Sequence, residues 1–594
     1  MSGKWHAVEG WARLVWVPPL LATLAAGLYG IGHAQPWRDE LATWSAATRP
    51  LGDLLRLAGT VDAATGPYYV LMHGWVRLFG DSATALRLPS ALAMAGAAGL
   101  TAVLARWLLG TRAGLLAGLL FAVLPGTSRY AQEARPYALA SLFAVLAGVL
   151  LVAALRRPSW ARWAGYSAAV TALGLTHLLA FTVLAAHAVV VLVAWWRGPA
   201  AAGLDPPPER LADREPPDGP PALAHGRNST AHDRNSTARG RDGTVRGRDG
   251  TVRGRDGTTH DRDGKAGGLD ETGHDRNETG HDRDGRLAVR WVLALLPALA
   301  LLTPLLLTAR AQRSRQLDWV EPARLADLAA LPGGVAQSAV VGGLLVGLAA
   351  LGAARAGRRR ALLPGLCVLL PVLLVFVAGL AVALWVPRYL VFTVPFASVL
   401  AGAALAGTPA PAPGPPAPQP SGPRATARVA SGAALAGLPG ALAVMVLAGL
   451  LGLPDQAALR QTHGWPRSAT VDYRGAARIV AGGQQPGDAV VLHPREGWLF
   501  LDLGLAYHLG EARPRDVLVV RDQRRRADLW ATECARPAEC LAGVRRVWLV
   551  VAGRRPDPLA AVPDGKGDAL RAGFTVGQVW QRPGVTVALL TARG

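Results

Sequence analysis

Four short polar stretches lie between the long apolar runs of the chain, and each carries side chains able to move protons or hold anions. The first reads Trp37-Arg38-Asp39-Glu40. A carboxylate held at the edge of a nonpolar medium is partly desolvated, which raises its affinity for a proton and suits it to act as a general base. The same pair could instead dress the start of a helix running through Leu41 to Ala47, with Asp39 as its cap. The second stretch, Ser128 to Tyr137, sets Glu133 among Arg129, Arg135 and Tyr137. A guanidinium offers a planar fork of donors that matches a phosphate, although these charges could also satisfy one another as an ion network. The third, Ala309 to Pro332, holds Arg310, Gln312, Arg313, Arg315, Gln316, Asp318 and Trp319, and the fourth is Arg388-Tyr389. The catalytic candidates are therefore Asp39, Glu40 and Glu133. Arg129, Arg135, Tyr137, His177, Arg313, Arg388 and Tyr389 are the candidates for binding substrate.

Other chemistries leave no mark. No His/Cys/Asp cluster has the spacing of a metal site, and neither a Walker loop nor a dinucleotide fingerprint is present. No metal ligands are assigned, and the cofactor stays unknown, with a divalent cation left open. His177 stands alone in a tight turn, where a histidine is more often a hydrogen-bonded structural residue than a catalyst. Between the first two polar stretches run Asp62 to Gly66, then Pro67, Tyr68, Tyr69 and an amphipathic segment to Phe79. Its aromatics read as interfacial anchors or as the lining of a lipid or sugar groove.

What must position these residues is a set of membrane spans. Of 594 residues, 51% are hydrophobic, clustered in runs of Ala, Leu, Val and Gly. The segments Trp16 to Gly32, Ala85 to Trp107, Tyr137 to Leu155 and Leu362 to Trp385 approach the roughly 20 residues needed to cross the hydrocarbon. A cleaved signal peptide is the rival reading of the N-terminus, with Lys4 and Arg13 ahead of an apolar stretch, but no clear small-residue cleavage site follows and further spans do. The expected fold is mostly α: a polytopic transmembrane bundle of about eleven spans, with a small C-terminal extracytoplasmic α/β domain. Trp160 to Arg197 is too long for one span and is split at a turn near Thr176 and His177.

The net charge of +21 would suggest nucleic acid in a soluble protein. In a membrane protein the placement of arginines matters more, and no nucleic-acid partner is expected. With the N-terminus in the cytoplasm, Arg106, Arg112, Arg156, Arg157, Arg162, Arg355, Arg358, Arg359, Arg360, Arg424 and Arg428 all fall in inside loops. That orientation places the four polar stretches outside. Three closely spaced arginines in the third stretch then run against the positive-inside tendency, which a bound anion would explain, as would snorkelling to lipid headgroups.

The organisation predicted is an N-terminal transmembrane half (1–197), a cytoplasmic insert (198–286), a second transmembrane part (287–407), a Pro-rich linker (408–428), a last span (429–453) and an extracytoplasmic domain (454–594). The insert repeats Arg-Gly-Arg-Asp-Gly-Thr from Arg239, Arg246 and Arg253 and has little to bury, which predicts disorder. Its Asn-x-Ser/Thr triplets at Asn228, Asn235 and Asn277 read as chance within a repeat. In the last domain Ala489 to Leu492, Val517 to Val520, Val547 to Val551 and Val585 to Leu590 read as strands. Cys534 and Cys540 could close a small loop there, and Cys367 reads as a packing residue.

Asp39 and Glu40 after the first span, the Glu133-Ala134-Arg135-Pro136-Tyr137 core and Arg388-Tyr389 before a late span together resemble the GT-C glycosyltransferases. The likeness is to the bacterial branch related to protein O-mannosyltransferases and to the aminoarabinose transferases of lipid A. It covers most of residues 10 to 405, with the C-terminal domain looking like an appendage. The resemblance implies transfer of a sugar, with mannose one candidate, from a polyprenyl-phosphate donor to a lipid, glycan or protein hydroxyl at the outer face of the bacterial plasma membrane. It also implies inversion at the anomeric carbon, with Asp39 the favoured base and Glu40 and Glu133 supporting it. Thr65-Gly66-Pro67-Tyr68-Tyr69 departs from the His-Pro-Pro stretch that relatives often carry in this loop. The rival readings are a lipid-linked glycan transporter or flippase, disfavoured because the polar residues gather at one face and no internal repeat is seen, and a scaffold presenting the C-terminal domain.

Overall fold

The structure of the chain, a computed structural model, describes residues 14–205, 275–317, 319–407, 438–460 and 471–594. Most of the predicted insert, the whole of the predicted Pro-rich linker and Asp318 lie outside the described residues. Two compact units are distinguished, Met1–Pro207 with Asp284–Gly594, and Pro208–Arg283. Of the second, only residues 275–283 are described, as helix.

The first unit is a multi-pass membrane protein. Among the described residues seven helices are long and apolar enough to cross a bilayer, and the pair Thr111–Val123 and Pro125–Ala131, bent by 66°, makes eight if read as one span. The sequence expectation of about eleven exceeds this count for identifiable reasons. Ala339–Ala381 is a single helical run of 43 residues, yet Gly357 breaks it with φ 76° and ψ 159°, a backbone that glycine adopts without a Cβ penalty. Two expected spans thus lie in one run. Val17–Leu28 has only 12 residues, about 18 Å of helix against a hydrocarbon core of about 30 Å. Trp160–Thr176 stops at 17 residues, and His177 beyond it is extended, which is where the turn was expected.

Local sequence starts and stops these helices. Ser82 accepts the Ala85 N–H at 3.2 Å to begin Ala83–Leu109, and Ser159 accepts that of Arg162 at 3.3 Å to begin Trp160–Thr176. Outward faces stay apolar, with Leu296, Leu307, Leu373 and Val377 exposed. Lipid tails compete with side chains for apolar contact, so spans associate by close backbone approach at small residues. A Cβ at Gly352 would lie 1.8 Å from the Leu400 carbonyl oxygen, so the helices meet there only through glycine.

The loops sort to opposite ends of the bundle. At one end Arg156 donates to the Trp107 carbonyl at 2.7 Å, and Arg355 to that of Ala404 at 2.6 Å. The other end gathers the four polar stretches under the C-terminal domain. That domain carries strands β1 (Ala489–His493), β2 (Arg515–Asp516), β3 (Val519–Arg521), β4 (Thr532–Glu533), β5 (Arg546–Ala552), β6 (Phe574–Arg582) and β7 (Val585–Ala592). Five form a mixed sheet in the order β2-β1-β5-β7-β6, with β1 parallel to β2 and β5, and β7 antiparallel to β5 and β6. Strand β6 was not foreseen because it is an edge strand exposed over most of its length, without the apolar run of a buried one. Cys534 and Cys540 are disulfide-bonded, and Cys367 is free and buried.

The domain is no loose appendage. One hydrophobic cluster runs from Leu41, Leu54 and Tyr68 of the membrane part to Tyr473, Phe500 and Trp548. Gln35 fastens the junction, donating to the Val471 carbonyl at 2.7 Å and accepting the Arg474 N–H at 2.8 Å. Arg49, 2% exposed, donates to the Asp528 carbonyl at 2.8 Å. Replacing Arg49 by Met removes this donor from a buried carbonyl. The expected cost is about 1–3 kcal/mol, to be read as a lower thermal unfolding midpoint in detergent and faster proteolytic release of residues 471–594.

Candidate active site

The site rests on a pair that does not itself face it. Helix Arg38–Ala47 begins at Trp37 without a capping side chain there, and Glu40 reaches back to accept the Trp37 N–H at 3.2 Å. Arg87, from Ala83–Leu109, grips both Glu40 oxygens, Nη2 at 2.6 Å and Nε at 2.7 Å. Its remaining N–H groups go to the carbonyls of Ile31 (2.8 Å), Ala34 (2.9 Å) and Gln35 (3.2 Å). Glu40 Oε1 also accepts the Ala134 N–H at 2.9 Å, which ties the second polar stretch to the first. Both side chains are buried. Burial alone would raise the Glu40 carboxyl, but Arg87 outweighs it and holds the group below 4.5.

One residue earlier on the helix, about 100° around its axis, Asp39 lines a cavity of about 530 Å³. Its carboxylate lies 3.7 Å from Arg388 Nη2 and 3.6 Å from Arg38 Nε. Both separations are too long for hydrogen bonds, so the guanidinium donors are not spent on it. Arg388 sits against the faces of Trp319, Tyr389 and Trp37, at 5.3, 5.7 and 5.9 Å from their centroids. Five arginines (38, 135, 310, 313 and 388) and two aspartates (39 and 62) line the cavity, leaving its charged wall net positive. Most of the rest is apolar, from Leu178, Leu306 and Leu384 of the membrane part to Trp498, Phe500 and Leu529 of the C-terminal domain.

Of the residues singled out from sequence, Asp39, Arg135, Tyr137, His177, Arg313, Arg388 and Tyr389 all line this cavity. Glu40, Arg129 and Glu133 lie behind it. Glu133 is 1% exposed, with Arg129 Nη2 at 3.5 Å and its backbone carbonyl bound by Ser90 Oγ at 2.6 Å. Burial pushes its carboxyl up; Arg129 opposes this, and Glu40 and Asp39 add to it. The His177 ring sits between Tyr389 (5.3 Å) and Tyr137 (5.9 Å). Burial, with Arg135 and Arg388 nearby, pushes its imidazole down to about 4, so it is neutral near pH 7. Asp62, Arg38, Trp498 and Phe500 were not assigned from sequence. Asp62 owes its place to a left-handed backbone (φ 61°) that turns it inward, and the two aromatics look like core residues until the domain is docked. Among the described residues no group of three or more His, Cys, Asp or Glu side chains is placed to hold a metal ion.

The molecule is thus a helical bundle carrying a basic cavity under a C-terminal strand-containing domain. Residues 67–201 match the family described as dolichyl-phosphate-mannose-protein mannosyltransferase. The match takes in Arg129, Glu133, Arg135, Tyr137 and His177, while Asp39, Arg313 and Arg388 lie outside it. No curated protein matches the chain in sequence. Among solved structures, apo ArnT from Cupriavidus metallidurans superposes with a TM-score of 0.52 at 14% identity over 98% of both chains. ArnT bound to undecaprenyl phosphate gives 0.52 at 15%, again over 98% of each. The mycobacterial arabinofuranosyltransferase AftD gives 0.45 at 15%, over 99% of this chain and 40% of that one. At these identities the likeness to ArnT is one of fold, and it bears out the fold that the GT-C resemblance in the sequence implied.

The two acids of the first stretch should separate cleanly. Glu40→Gln leaves Arg87 buried without its counter-charge and should cost about 3–5 kcal/mol, whereas Asp39→Asn should change stability by less than about 1 kcal/mol. Because folding lowers the Glu40 value below 4.5, its stabilisation is present at neutral pH and lost as pH falls through the folded value. Unfolding midpoints of the unaltered protein and both variants, followed from neutral pH down through and below the ordinary carboxylate range, measure this.

Proposed function

We propose that the protein is a membrane glycosyltransferase that moves a sugar from a polyprenyl-phosphate carrier to an acceptor hydroxyl, with inversion. The observation that carries this reading is Asp39: an acid freed from helix duty by Glu40, facing a basic cavity with an apolar wall suited to a lipid phosphate. Asp39 takes the acceptor proton as the hydroxyl oxygen bonds to the anomeric carbon. The bond from that carbon to the phosphate oxygen breaks, and its electron pair stays on the departing polyprenyl phosphate. A phosphate leaving group needs charge stabilisation more than a proton, and Arg135, Arg313 and Arg388 supply it. Tyr137, His177 and Tyr389 form the neutral wall beside the sugar. Glu40, Arg129 and Glu133 support the loops that carry these groups.

The match to the mannosyltransferase family over residues 67–201 supports mannose as the sugar. Binding of undecaprenyl phosphate by ArnT supports a polyprenyl carrier. The acceptor is a lipid, glycan or protein hydroxyl. The arginine-bearing loops at the end opposite the cavity support a plasma-membrane orientation with the N-terminus cytoplasmic and the C-terminal domain extracytoplasmic. A reporter active only outside the cytoplasm, fused after residue 594, should be active in bacterial cells.

Purified protein supplied with labelled polyprenyl-phosphate mannose and a membrane extract as acceptor should transfer the label. In Asp39→Asn, inserted normally, transfer should fall by at least about 100-fold. Full transfer by that variant would sink the assignment of the base, and lipid translocation without transfer by the unaltered protein would sink the enzyme.

A further inference from the structure

The second carboxylate in the cavity wall, Asp62, accepts three side-chain hydrogen bonds and so is unlike Asp39. Oδ1 accepts from Thr65 Oγ1 at 2.7 Å and from Gln316 Nε2 at 3.2 Å, and Oδ2 accepts from the Tyr69 hydroxyl. The Tyr69 oxygen in turn accepts from Arg135 Nη1 at 3.3 Å. Tyr69 is wholly buried, and burial with Asp62 beside it keeps the phenol protonated and able to donate. Arg135 Nε is buried without a hydrogen-bond partner, leaving a donor for an anion in the cavity.

The same segment holds the third polar stretch. Gln312 accepts the Ala63 N–H at 2.8 Å and donates to the Ala58 carbonyl at 3.0 Å. Arg313 therefore sits between two glutamines fastened to residues 58–63. Asp62 stands at the centre in a left-handed conformation (φ 61°, ψ 37°), which a short side chain that hydrogen-bonds locally tolerates and which its bond from Thr65 helps to hold.

The geometry points to Asp62 as the positioning residue of the phosphate site, setting Arg135 through Tyr69 and the Arg313 loop through Gln316. This rests on the reading of the cavity as a polyprenyl-phosphate site. Asp62 touches neither the sugar nor the phosphate. Its carboxylate fixes the separation of two arginines that come from distant parts of the chain and would otherwise repel.

The test is the affinity of the full-length protein in detergent for undecaprenyl phosphate, measured alongside the thermal unfolding midpoint. Asp62→Asn and Tyr69→Phe should each weaken binding about tenfold, and the double variant no further, because both break one chain of contacts. Gln316→Ala should weaken it independently of Tyr69→Phe. Should Asp62→Asn not fold, the Tyr69→Phe and Gln316→Ala pair carries the test. Unchanged affinity in a folded Tyr69→Phe protein, or lower midpoints without weaker binding, would overturn the assignment. No binding by the unaltered protein would instead overturn the donor reading on which it stands.

Discussion

Burying Glu40 and Arg87 together is what the upper end of this molecule depends on. A carboxylate and a guanidinium withdrawn from water hold only while each keeps the other, and such a pair is strongly selective about geometry. Here the guanidinium also collects three carbonyls of the segment before Trp37, and the carboxylate collects the N–H groups of Trp37 and Ala134. Three separate pieces of chain are thereby brought to one point. The direction of Asp39, the path of the stretch holding Arg135 and the seat of Gln35 against the C-terminal domain all follow from it.

The cavity's charge follows from a second constraint. Arginines at this end of the bundle face an apolar wall, so their field is poorly screened and an anion there is held more strongly than in water. Asp39 and Asp62 divide the acidic side chains of the wall between two tasks. One is within 4 Å of two guanidinium groups without being hydrogen-bonded to them; the other accepts three side-chain hydrogen bonds. Chemically identical side chains are separated by how many donors each has already accepted.

The sequence carried much of this in its periodicity and polarity. Long Ala/Leu/Val runs gave the spans, and the clustering of Arg135, Arg313 and Arg388 in interruptions between them identified the cavity end. Adjacent acids were harder to tell apart. Asp39 and Glu40 look equivalent in a row of letters, and their difference depends on Arg87, a residue inside a span that no local pattern links to them. Asp62 was hidden for a similar reason, since its partners Tyr69 and Gln316 are known only once distant loops meet. The helix count differs from the number of apolar segments where one glycine, Gly357, interrupts a helical run, and where Val17–Leu28 is shorter than its apolar stretch.

Trp498 and Phe500 form part of the cavity wall, yet they belong to the last-folded portion of the chain. Asp39, Arg135 and the membrane helices are synthesised and inserted well before these aromatics leave the ribosome. Until the final domain has settled on Gln35 and Arg49, the cavity lies open on that side. A chain interrupted during synthesis thus carries every charged group of the cavity wall but not its enclosure.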